Sequence, residues 1–235
     1  MLDVIAFDAD DTLWHNEPHF SNTHEKFRDL LSGYHDPDWI ERRLAETEIK
    51  NLKHFGYGIK GFTLSMIETA IELTEGRVDA GKVMKIVNFG KSMLQAPLEL
   101  LDDVEPVLAQ LQKNHDLMII TKGDLFDQET KIARSGLGEY FKYVEIVSEK
   151  TPNHFDRIVN HYQLKPERFM MVGNSLKSDI LPVIEIGAHA VHIPYETTWV
   201  HEMVDPGLLK DVHYHQVDRF AGLPDFLEHL LTKAC

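Results

Sequence analysis

Three acidic residues and a threonine follow a short apolar run near the start of the chain. The run is 4–7, and the polar residues after it are Asp8, Asp10, Asp11 and Thr12. An apolar run rich in β-branched and aromatic residues that ends in polar ones predicts a buried strand leading into a loop. Because side chains alternate along an extended backbone, we expect Asp8 and Asp10 on the same side. Two carboxylates so close need a shared cation or proton, which predicts a Mg²⁺ site, an acid/base pair, or both.

The alternative interpretation of these acids is an ordinary solvated turn. Two carboxylates alone favour that interpretation, but here the acids end an apolar run and are followed by Thr12 and Leu13. This context favours a functional site. Asp11 is expected to point away from Asp8 and Asp10 by alternation and to be a solvated turn residue.

Composition limits the classes of protein to consider. A chain of 235 residues is long enough for one large domain or two smaller ones. It has no apolar run of membrane-spanning length and no basic segment before its first apolar run, so neither membrane insertion nor secretion is expected. The single cysteine, Cys235, rules out a disulfide framework and favours a reducing, cytoplasmic location.

The acidic balance of the chain bears on its partners. A net charge of −14 argues against non-specific binding to nucleic acid, which needs a basic surface. An anionic substrate would require a divalent metal and well-placed lysines to reverse the field locally. A monomer and a homodimer are both compatible with the sequence.

The periodicity of apolar residues predicts two kinds of architecture in one chain. Helical spacing dominates residues 15–97, whereas strands and helices alternate from 98 onward. Alternation predicts a doubly wound parallel sheet of the Rossmann-like α/β class, with ligands beyond the carboxyl ends of its strands. We therefore expect an α/β core made of 1–14 and 98–235, and an inserted all-helical domain at 15–97. The predicted strands are 4–7, 116–121, 143–147, 169–172 and 188–193.

Polar residues also follow the second, third and fourth predicted strands. Their side chains suit a phosphate group and a hard cation, and the carboxyl ends of parallel strands meet at one edge of the sheet. Agreement between four separate segments is stronger than any single motif. The residues are Thr121, Lys122 and Gly123 after the second strand, Lys150 after the third, and Asn174 and Asp179 after the fourth.

These motifs resemble those of the haloacid dehalogenase-like superfamily of phosphohydrolases. The match comprises D-x-D-x-T from Asp8 to Thr12, then Thr121, Lys150 and Asp179 in the positions of the later motifs. The helical stretch resembles the small C1-type cap of that superfamily. The resemblance implies a Mg²⁺-dependent phosphatase that acts on small phosphomonoesters through an aspartyl-phosphate intermediate.

The resemblance also implies a role for each motif residue. Asp8 would be the nucleophile, and Asp10 would protonate the leaving group and then deprotonate water. Mg²⁺ would be bound by Asp8, Asp179 and the backbone carbonyl of Asp10. Thr121 and Lys150 would bind the phosphoryl group and neutralise its charge.

Further positions near the motifs are assigned supporting roles. Many relatives have an acid where this chain has Asn174, and an amide brings no charge to the metal. We therefore place Asn174 behind the metal, holding a bound water, and leave Asp179 as the direct ligand. Thr12 is expected to brace the loop that aims Asp10, while Lys122 and Gly123 are candidates for phosphate contact.

The helical insert supplies the candidates for substrate specificity. Tyr57 and Lys60 lie in a glycine-rich segment between two predicted helices, and His15 and Asn16 lie where the insert begins. An insert of this size is expected to close over the site and restrict it to small substrates. The resemblance implies phosphorylated metabolites of the nucleotide or sugar phosphate type.

Three alternatives to the phosphatase stay open. A phosphomutase would use the same Asp8 and Asp10 but pass the phosphoryl group to a second hydroxyl. A dehalogenase ranks third among the enzymes, after the phosphatase and the phosphomutase, because the dehalogenase relatives lack an acid at the position of Asp10. A non-catalytic regulatory protein of the same fold is favoured only by the substitution at Asn174.

Overall fold

The computed structural model describes residues 2–197, 199–209 and 212–233, so Cys235 lies outside the described residues. Its elements come in the predicted order: one strand, four helices, and then helices and strands in alternation. The strands are β1 Val4–Phe7, β2 Asp116–Lys122, β3 Tyr143–Val147, β4 Phe169–Gly173, β5 His189–His192 and β6 His215–Gln216. The helices are α1 Glu17–Leu31, α2 Pro37–Phe55, α3 Ile59–Leu73, α4 Ala80–Gln95, α5 Val104–Leu111, α6 Leu125–Ser135, α7 Pro152–His161, α8 Leu181–Glu185 and α9 Leu223–Lys233.

The six strands form one parallel sheet in the order β3-β2-β1-β4-β5-β6. β1 lies at the centre, where Ala6 is in register with Met118 of β2 and with Met171 of β4. The predicted α/β class, with helices packed on a parallel sheet, is confirmed. β6 is absent from the prediction because its two exposed residues, His215 and Gln216, carry no apolar pattern.

Alternate residues of β1 enter two different hydrophobic cores. Ile5 and Phe7 pack in a core that includes residues of α5 and α9, whereas Val4 and Ala6 pack in a core that includes residues of α7 and α8. All four side chains are buried. A strand buried on both faces has a continuous apolar sequence, as this one does. The loop that follows β1 therefore begins from a firmly packed strand end.

Contacts divide the chain into two compact units. The α/β unit takes in residues 1–15, 98–122 and 128–235, and the helical unit takes in 16–97 together with 123–127. The segment 123–127, which follows β2 directly, was assigned to the core in the prediction. Its membership of the helical unit follows from contacts that no local sequence pattern reveals.

The helical unit has a hydrophobic core of its own. It contains Phe27 of α1, Leu44 of α2, Met66 of α3 and Ile86 of α4, all fully buried. Pro37 is the first residue of α2, where its missing N–H leaves no helical hydrogen bond unmade. In the described part of the chain, no helix has the length and hydropathy needed to span a bilayer.

Candidate active site

The loop after β1 turns sharply within a few residues. The N–H of Asp8 donates to the carbonyl of Val172 (2.9 Å), and the N–H of Leu13 donates to the carbonyl of Ala9 (2.8 Å). Asp11 adopts a left-handed backbone with φ of 62° and is only 8 % exposed. The prediction of a solvated turn residue at Asp11 is therefore wrong, because alternation ends where the backbone leaves the extended conformation.

A buried cluster of two carboxylates and one ammonium lies at the carboxyl edge of the sheet. Lys150 Nζ donates to Asp8 Oδ1 (2.5 Å) and to Asp179 Oδ1 (2.7 Å), and all three side chains are buried. The carboxyl ends of β1, β3 and β4 thus bring together residues that are far apart in the sequence. Two carboxylates that share one cation form a compact centre with a net negative charge.

Burial dominates the electrostatics of this cluster. It raises the pKa of Asp8 to about 7, with the charge of Lys150 opposing the rise and the charge of Asp179 adding to it. Burial alone would lower the pKa of Lys150, yet Asp179 and Asp8 hold that pKa above its usual range. Lys150 therefore stays charged, and additional positive charge would stabilise the ionised form of Asp8.

Asp179 is fixed by the backbone on either side of it. It lies in a single π turn, Leu176–Ile180, and its Oδ2 accepts the N–H of Ser175 (3.0 Å). A Cβ atom at Gly173 would lie 2.3 Å from Asp179 Oδ2, so the absence of a side chain there permits the close approach. π turns occur frequently at functional sites, and this one aims a carboxylate at Lys150.

Thr12 links the loop after β1 to the loop after β4. Its hydroxyl lies 3.2 Å from Asp8 Oδ2 and 3.2 Å from Asn174 Oδ1, and it accepts the N–H of Asn174 (3.2 Å). The carbonyl of Asn174 is bonded in turn to His192 Nε2 (3.0 Å). Asn174 is thus connected to Asp8 through Thr12, by two hydrogen bonds. Its role toward a metal-bound water stays a prediction.

Asp10 is held by three donors that the sequence analysis missed. Trp14 Nε1 donates to Oδ1 (2.7 Å), and Gln128 Nε2 donates to Oδ2 (2.8 Å). Lys131 Nζ donates to both oxygens, at 3.0 and 3.1 Å. Burial alone would raise the pKa of Asp10, but Lys131, Gln128 and Trp14 bring it below its ordinary value. The carboxyl is thus in its ionised form, ready to accept a proton.

A second carboxylate, Glu202, was also missed. It lies in the segment after β5, and its Oε1 accepts from Lys122 Nζ (2.5 Å). The hydroxyls of Ser175 and Ser178 donate to its Oε2, at 2.6 Å for Ser178, and Lys122 Nζ also donates to Ser178 Oγ (2.8 Å). Burial would raise the pKa of Glu202, but Lys122 and the two serines lower it to about 2. Lys122 is therefore bound to a carboxylate of its own chain.

The remaining predicted residues of the α/β unit lie near the same strand ends. Thr121 is buried at the end of β2, opposite Ile146 of β3. His15 Nδ1 is hydrogen-bonded to the hydroxyl of Tyr195 (2.6 Å), and the two rings lie 5.8 Å apart. The expected parts of Thr121 in phosphate binding and of His15 in specificity stay predictions.

The other candidates belong to the helical unit. Lys60 Nζ donates to Asp124 Oδ1 (2.8 Å), which ties the start of α3 to the segment 123–127. Gly123 has φ of 150°, a conformation that favours glycine. Tyr57 and Asn16 lie before α3 and before α1, as the sequence order requires. The expected parts of Lys60, Gly123, Tyr57 and Asn16 in substrate binding stay predictions.

The side chains at the strand ends of the α/β unit can be compared with the ligands that a divalent metal needs. In the described part of the chain, no three His, Cys, Asp or Glu side chains come together as a metal site. The predicted set needs only two carboxylates, Asp8 and Asp179, and the backbone carbonyl of Asp10, and both carboxylates already converge on one cation.

Charge in the same region also fits a metal. The ion pairs described above join four carboxylates to three ammonium groups, so these paired groups carry an excess of one negative charge before any anion binds. A dication would reverse that sign, so the residues fit Mg²⁺. The carboxylates are Asp8, Asp10, Asp179 and Glu202, and the ammonium groups are Lys122, Lys131 and Lys150.

No local sequence signal was strong enough to predict the donors to Asp10 on α6 or the role of Glu202. Gln128 and Lys131 lie three residues apart and so share a face of α6, but that spacing is common on solvated helices. Glu202 lies in a segment without helical or strand periodicity. Only the fold brings these residues to Asp10 and Lys122.

Comparison with known families defines the class of the protein as hydrolase. A family model described as haloacid dehalogenase-like hydrolase matches residues 2–187. The chain therefore belongs to the haloacid dehalogenase-like hydrolase family, and the resemblance inferred from its motifs is confirmed.

Individual relatives agree with this assignment. The chain is 26% identical to the human N-acylneuraminate-9-phosphatase over 215 residues, which cover 87% of this chain and 84% of the human protein. A haloacid dehalogenase-like family hydrolase from Xanthomonas campestris is 40% identical, with a TM-score of 0.88 over 99% of this chain and 93% of that one.

The fold itself is shared with enzymes of different chemistry. The L-2-haloacid dehalogenase from Xanthobacter autotrophicus superimposes with a TM-score of 0.62 at 13% identity, over 97% of this chain and 99% of that one. Such a likeness concerns the fold alone, so the reaction has to be argued from the site residues.

Proposed function

We propose that the protein is a Mg²⁺-dependent phosphatase that hydrolyses small phosphomonoesters through an aspartyl-phosphate on Asp8. One observation carries the proposal: buried Asp8 and Asp179 share Lys150 at the carboxyl edge of the sheet, and Asp10 follows Asp8 by two residues. The phosphatase names of relatives that match most of the chain support the same reaction.

The first step is the transfer of the phosphoryl group to the enzyme. An oxygen of Asp8 attacks phosphorus, the bond from phosphorus to the leaving oxygen breaks, and Asp10 gives that oxygen a proton. Lys150 neutralises charge beside the attacking carboxylate. A divalent cation held by Asp8, Asp179 and the backbone carbonyl of Asp10 would neutralise the phosphoryl oxygens and keep Asp8 ionised.

The second step returns Asp8 to its starting state. Water attacks the phosphorus of the aspartyl-phosphate, Asp10 takes a proton from the water, and the bond from phosphorus to Asp8 breaks, which releases orthophosphate. The ionised Asp10 found beside Lys131 suits this base role. Before the first step it has to take up a proton and loosen its bond to Lys131.

The substrate class follows from the relatives and from the chemistry. The relatives with phosphatase names include enzymes named for N-acylneuraminate 9-phosphate and for glyceraldehyde 3-phosphate. We propose small sugar phosphates, related carbohydrate phosphates and nucleotides as substrates. Asp10 favours phosphoryl transfer over dehalogenation, because an alcohol oxygen that leaves phosphorus needs a proton from an acid, whereas a departing halide does not.

Release of orthophosphate from a panel of phosphomonoesters, with Mg²⁺ or with a chelator, tests the proposal. The panel would hold a hexose phosphate, a nucleoside monophosphate, N-acylneuraminate 9-phosphate, glyceraldehyde 3-phosphate and an aryl phosphate. Turnover should require the metal, and Asp8→Asn should lower it at least about 10³-fold, since the variant lacks a nucleophile. The exposed Asp102 gives the matched control, Asp102→Asn, which should keep full activity.

Other outcomes would point to the alternatives. Formation of an isomeric sugar phosphate without orthophosphate would indicate a phosphomutase, and turnover of 2-chloropropionate would indicate a dehalogenase. Hydrolysis that survives in Asp8→Asn would contradict the assigned nucleophile. No turnover of any panel member, with the metal bound, would favour a regulatory protein.

A further inference from the structure

Lys122 and Glu202 form a partly buried ion pair beside the proposed phosphoryl site. Lys122 Nζ lies 2.5 Å from Glu202 Oε1, and the two side chains are 15 % and 11 % exposed. Ser178 Oγ donates to Glu202 Oε2 (2.6 Å), and Ser175 Oγ donates to the same oxygen. Three donors therefore converge on one carboxylate, an arrangement that suits an anion.

The pair spans the end of the strand that carries the nucleophile. Lys122 is the last residue of β2, and Ser175 and Ser178 follow β4. β1 lies between β2 and β4 in the sheet, and Asp8 directly follows β1. A bridge from the end of β2 to the loop after β4 therefore crosses the sheet edge at β1.

The charge of Glu202 opposes a phosphate at this edge. The carboxylate stays ionised at any ordinary pH, because Lys122 and the serine hydroxyls hold its pKa near 2 against the effect of burial. An ammonium already paired with a carboxylate attracts a further anion only weakly. A phosphate that approached the same donors would also be repelled by the charge of Glu202. A phosphoryl oxygen that replaces Glu202 gains Lys122 and the serine hydroxyls as donors.

We propose that Glu202 sets the affinity of the enzyme for the phosphoryl group, as an internal anion that a bound phosphate displaces from Lys122 and Ser178. The inference rests on the proposed phosphatase function. No covalent bond changes: one oxygen anion replaces another on the same donors, and the segment 199–209 releases its carboxylate. The affinity of the site for phosphate is therefore lower than it would be if Lys122 were present without the charge of Glu202.

Binding of orthophosphate in the presence of Mg²⁺, measured by calorimetry, tests this inference without any turnover. Glu202→Gln keeps the shape of the side chain but removes its charge, so the dissociation constant should fall about tenfold. The same variant should lower KM for an aryl phosphate. Glu196→Gln, at an exposed position in the same connection, is the matched control and should leave phosphate binding unchanged.

The gain in affinity should depend on Lys122. In a Lys122→Gln background, Glu202→Gln should tighten phosphate binding much less than in the wild-type protein. Unchanged or weaker binding by a folded Glu202→Gln variant would overturn the inference, and would show that Glu202 orients Lys122 instead.

Hydrogen exchange on the wild-type chain keeps the inference testable if the variant does not fold. Orthophosphate with Mg²⁺ should increase exchange in residues 199–209, since Glu202 is released when phosphate binds. Decreased or unchanged exchange there, at saturating phosphate, would contradict displacement. A protein without phosphatase activity whose Glu202→Gln variant still binds phosphate more tightly would refute the proposed function alone.

Discussion

Asp10 shows how a short motif leaves the surroundings of a residue undetermined. The motif places a carboxylate two residues after Asp8, and that carboxylate has both of its oxygens bound by Lys131, one of them by Gln128 and the other by Trp14. The residue proposed to give and accept a proton is thus held in an ion pair with Lys131. Lys131 positions Asp10 and is not expected to touch the substrate.

Removal of Lys131 should affect substrates according to their leaving groups. Lys131→Met leaves Asp10 without its cation. The Asp10 carboxyl is then no longer held in position to protonate the leaving oxygen. We expect kcat/KM for an alkyl phosphate to fall about 10²-fold, because general acid catalysis commonly contributes that much. An aryl phosphate with an acidic leaving group needs no proton and should lose only a few-fold.

Steady-state kinetics with the two substrates provides the measurement, since kcat/KM reports on the transfer to Asp8. Lys113→Met, at an exposed lysine of the same unit, is the control and should change neither value. Equal losses for both substrates would indicate that Lys131 merely supports the fold.

At the scale of elements, β4 and the π turn after it pack so closely that they tolerate little change in side-chain size. Gly173 ends β4, and Asp179 folds back so closely that a methyl group at Gly173 would overlap its carboxylate at 2.3 Å. Asp179 cannot move without losing its bonds to Lys150 and to the N–H of Ser175. The strand and the turn therefore depend on each other.

Gly173→Ala should disrupt both the site and the packing around it. We expect activity to fall at least about 10²-fold, because displacement of a site group by an ångström has effects of that size. Overpacking should lower the free energy of unfolding by about 1–3 kcal/mol. Phosphate release at increasing Mg²⁺, together with urea unfolding, would measure these effects. Gly138→Ala, where a new methyl group meets open space, should change neither, and near-normal activity of Gly173→Ala would refute this account.

Most elements could be predicted from the sequence because each carries a local signal. The core strands are apolar runs that end in polar residues, and the four helices of 16–97 have clear apolar periodicity. β6 has two exposed residues and gives no such signal. Asp8, Lys150 and Asp179 could be grouped because parallel strand ends converge. Glu202 and Lys131 could not, since their contacts depend on how a long connection and a helix pack.

At the scale of the whole molecule, a buried acid in the helical unit links stability to pH. Glu48 of α2 lies 3.5 Å from His24 of α1, which also contacts Glu41 and stacks on Phe62 of α3. Burial raises the pKa of Glu48 to about 7, with His24 opposing the rise and Glu41 and Glu17 adding to it. The pKa of His24 is raised as well: burial lowers it, and the neighbouring glutamates more than compensate.

Both shifts make the chain less stable as pH rises. Between 4.5 and about 7 the folded chain keeps a proton on Glu48 that the unfolded chain has lost, so stability falls through that window and then levels off. His24 contributes in the same direction, since its stabilisation is complete below its unfolded pKa and is lost above its raised folded pKa.

Glu48→Gln should therefore stabilise the protein at alkaline pH. We expect its free energy of unfolding at pH 8 to exceed that of the wild type by about 1–3 kcal/mol, and the difference to become small near pH 5. Thermal or urea unfolding across this pH range measures it. Glu25→Gln, on the exposed face of α1, serves as the control with no pH-dependent gain. A variant that is less stable than wild type at pH 8 would contradict the pKa assignment.

The central position of β1 has a consequence for how the protein is made. This strand is synthesised before the helices of 16–97, yet one of its two neighbours, β4, begins only at Phe169. The helices of 16–97 are contiguous and can assemble early, whereas the apolar run of β1 has to wait for both partner strands. The nascent chain therefore carries an unpaired hydrophobic strand until β4 has been synthesised, and over that interval the strand needs protection from aggregation.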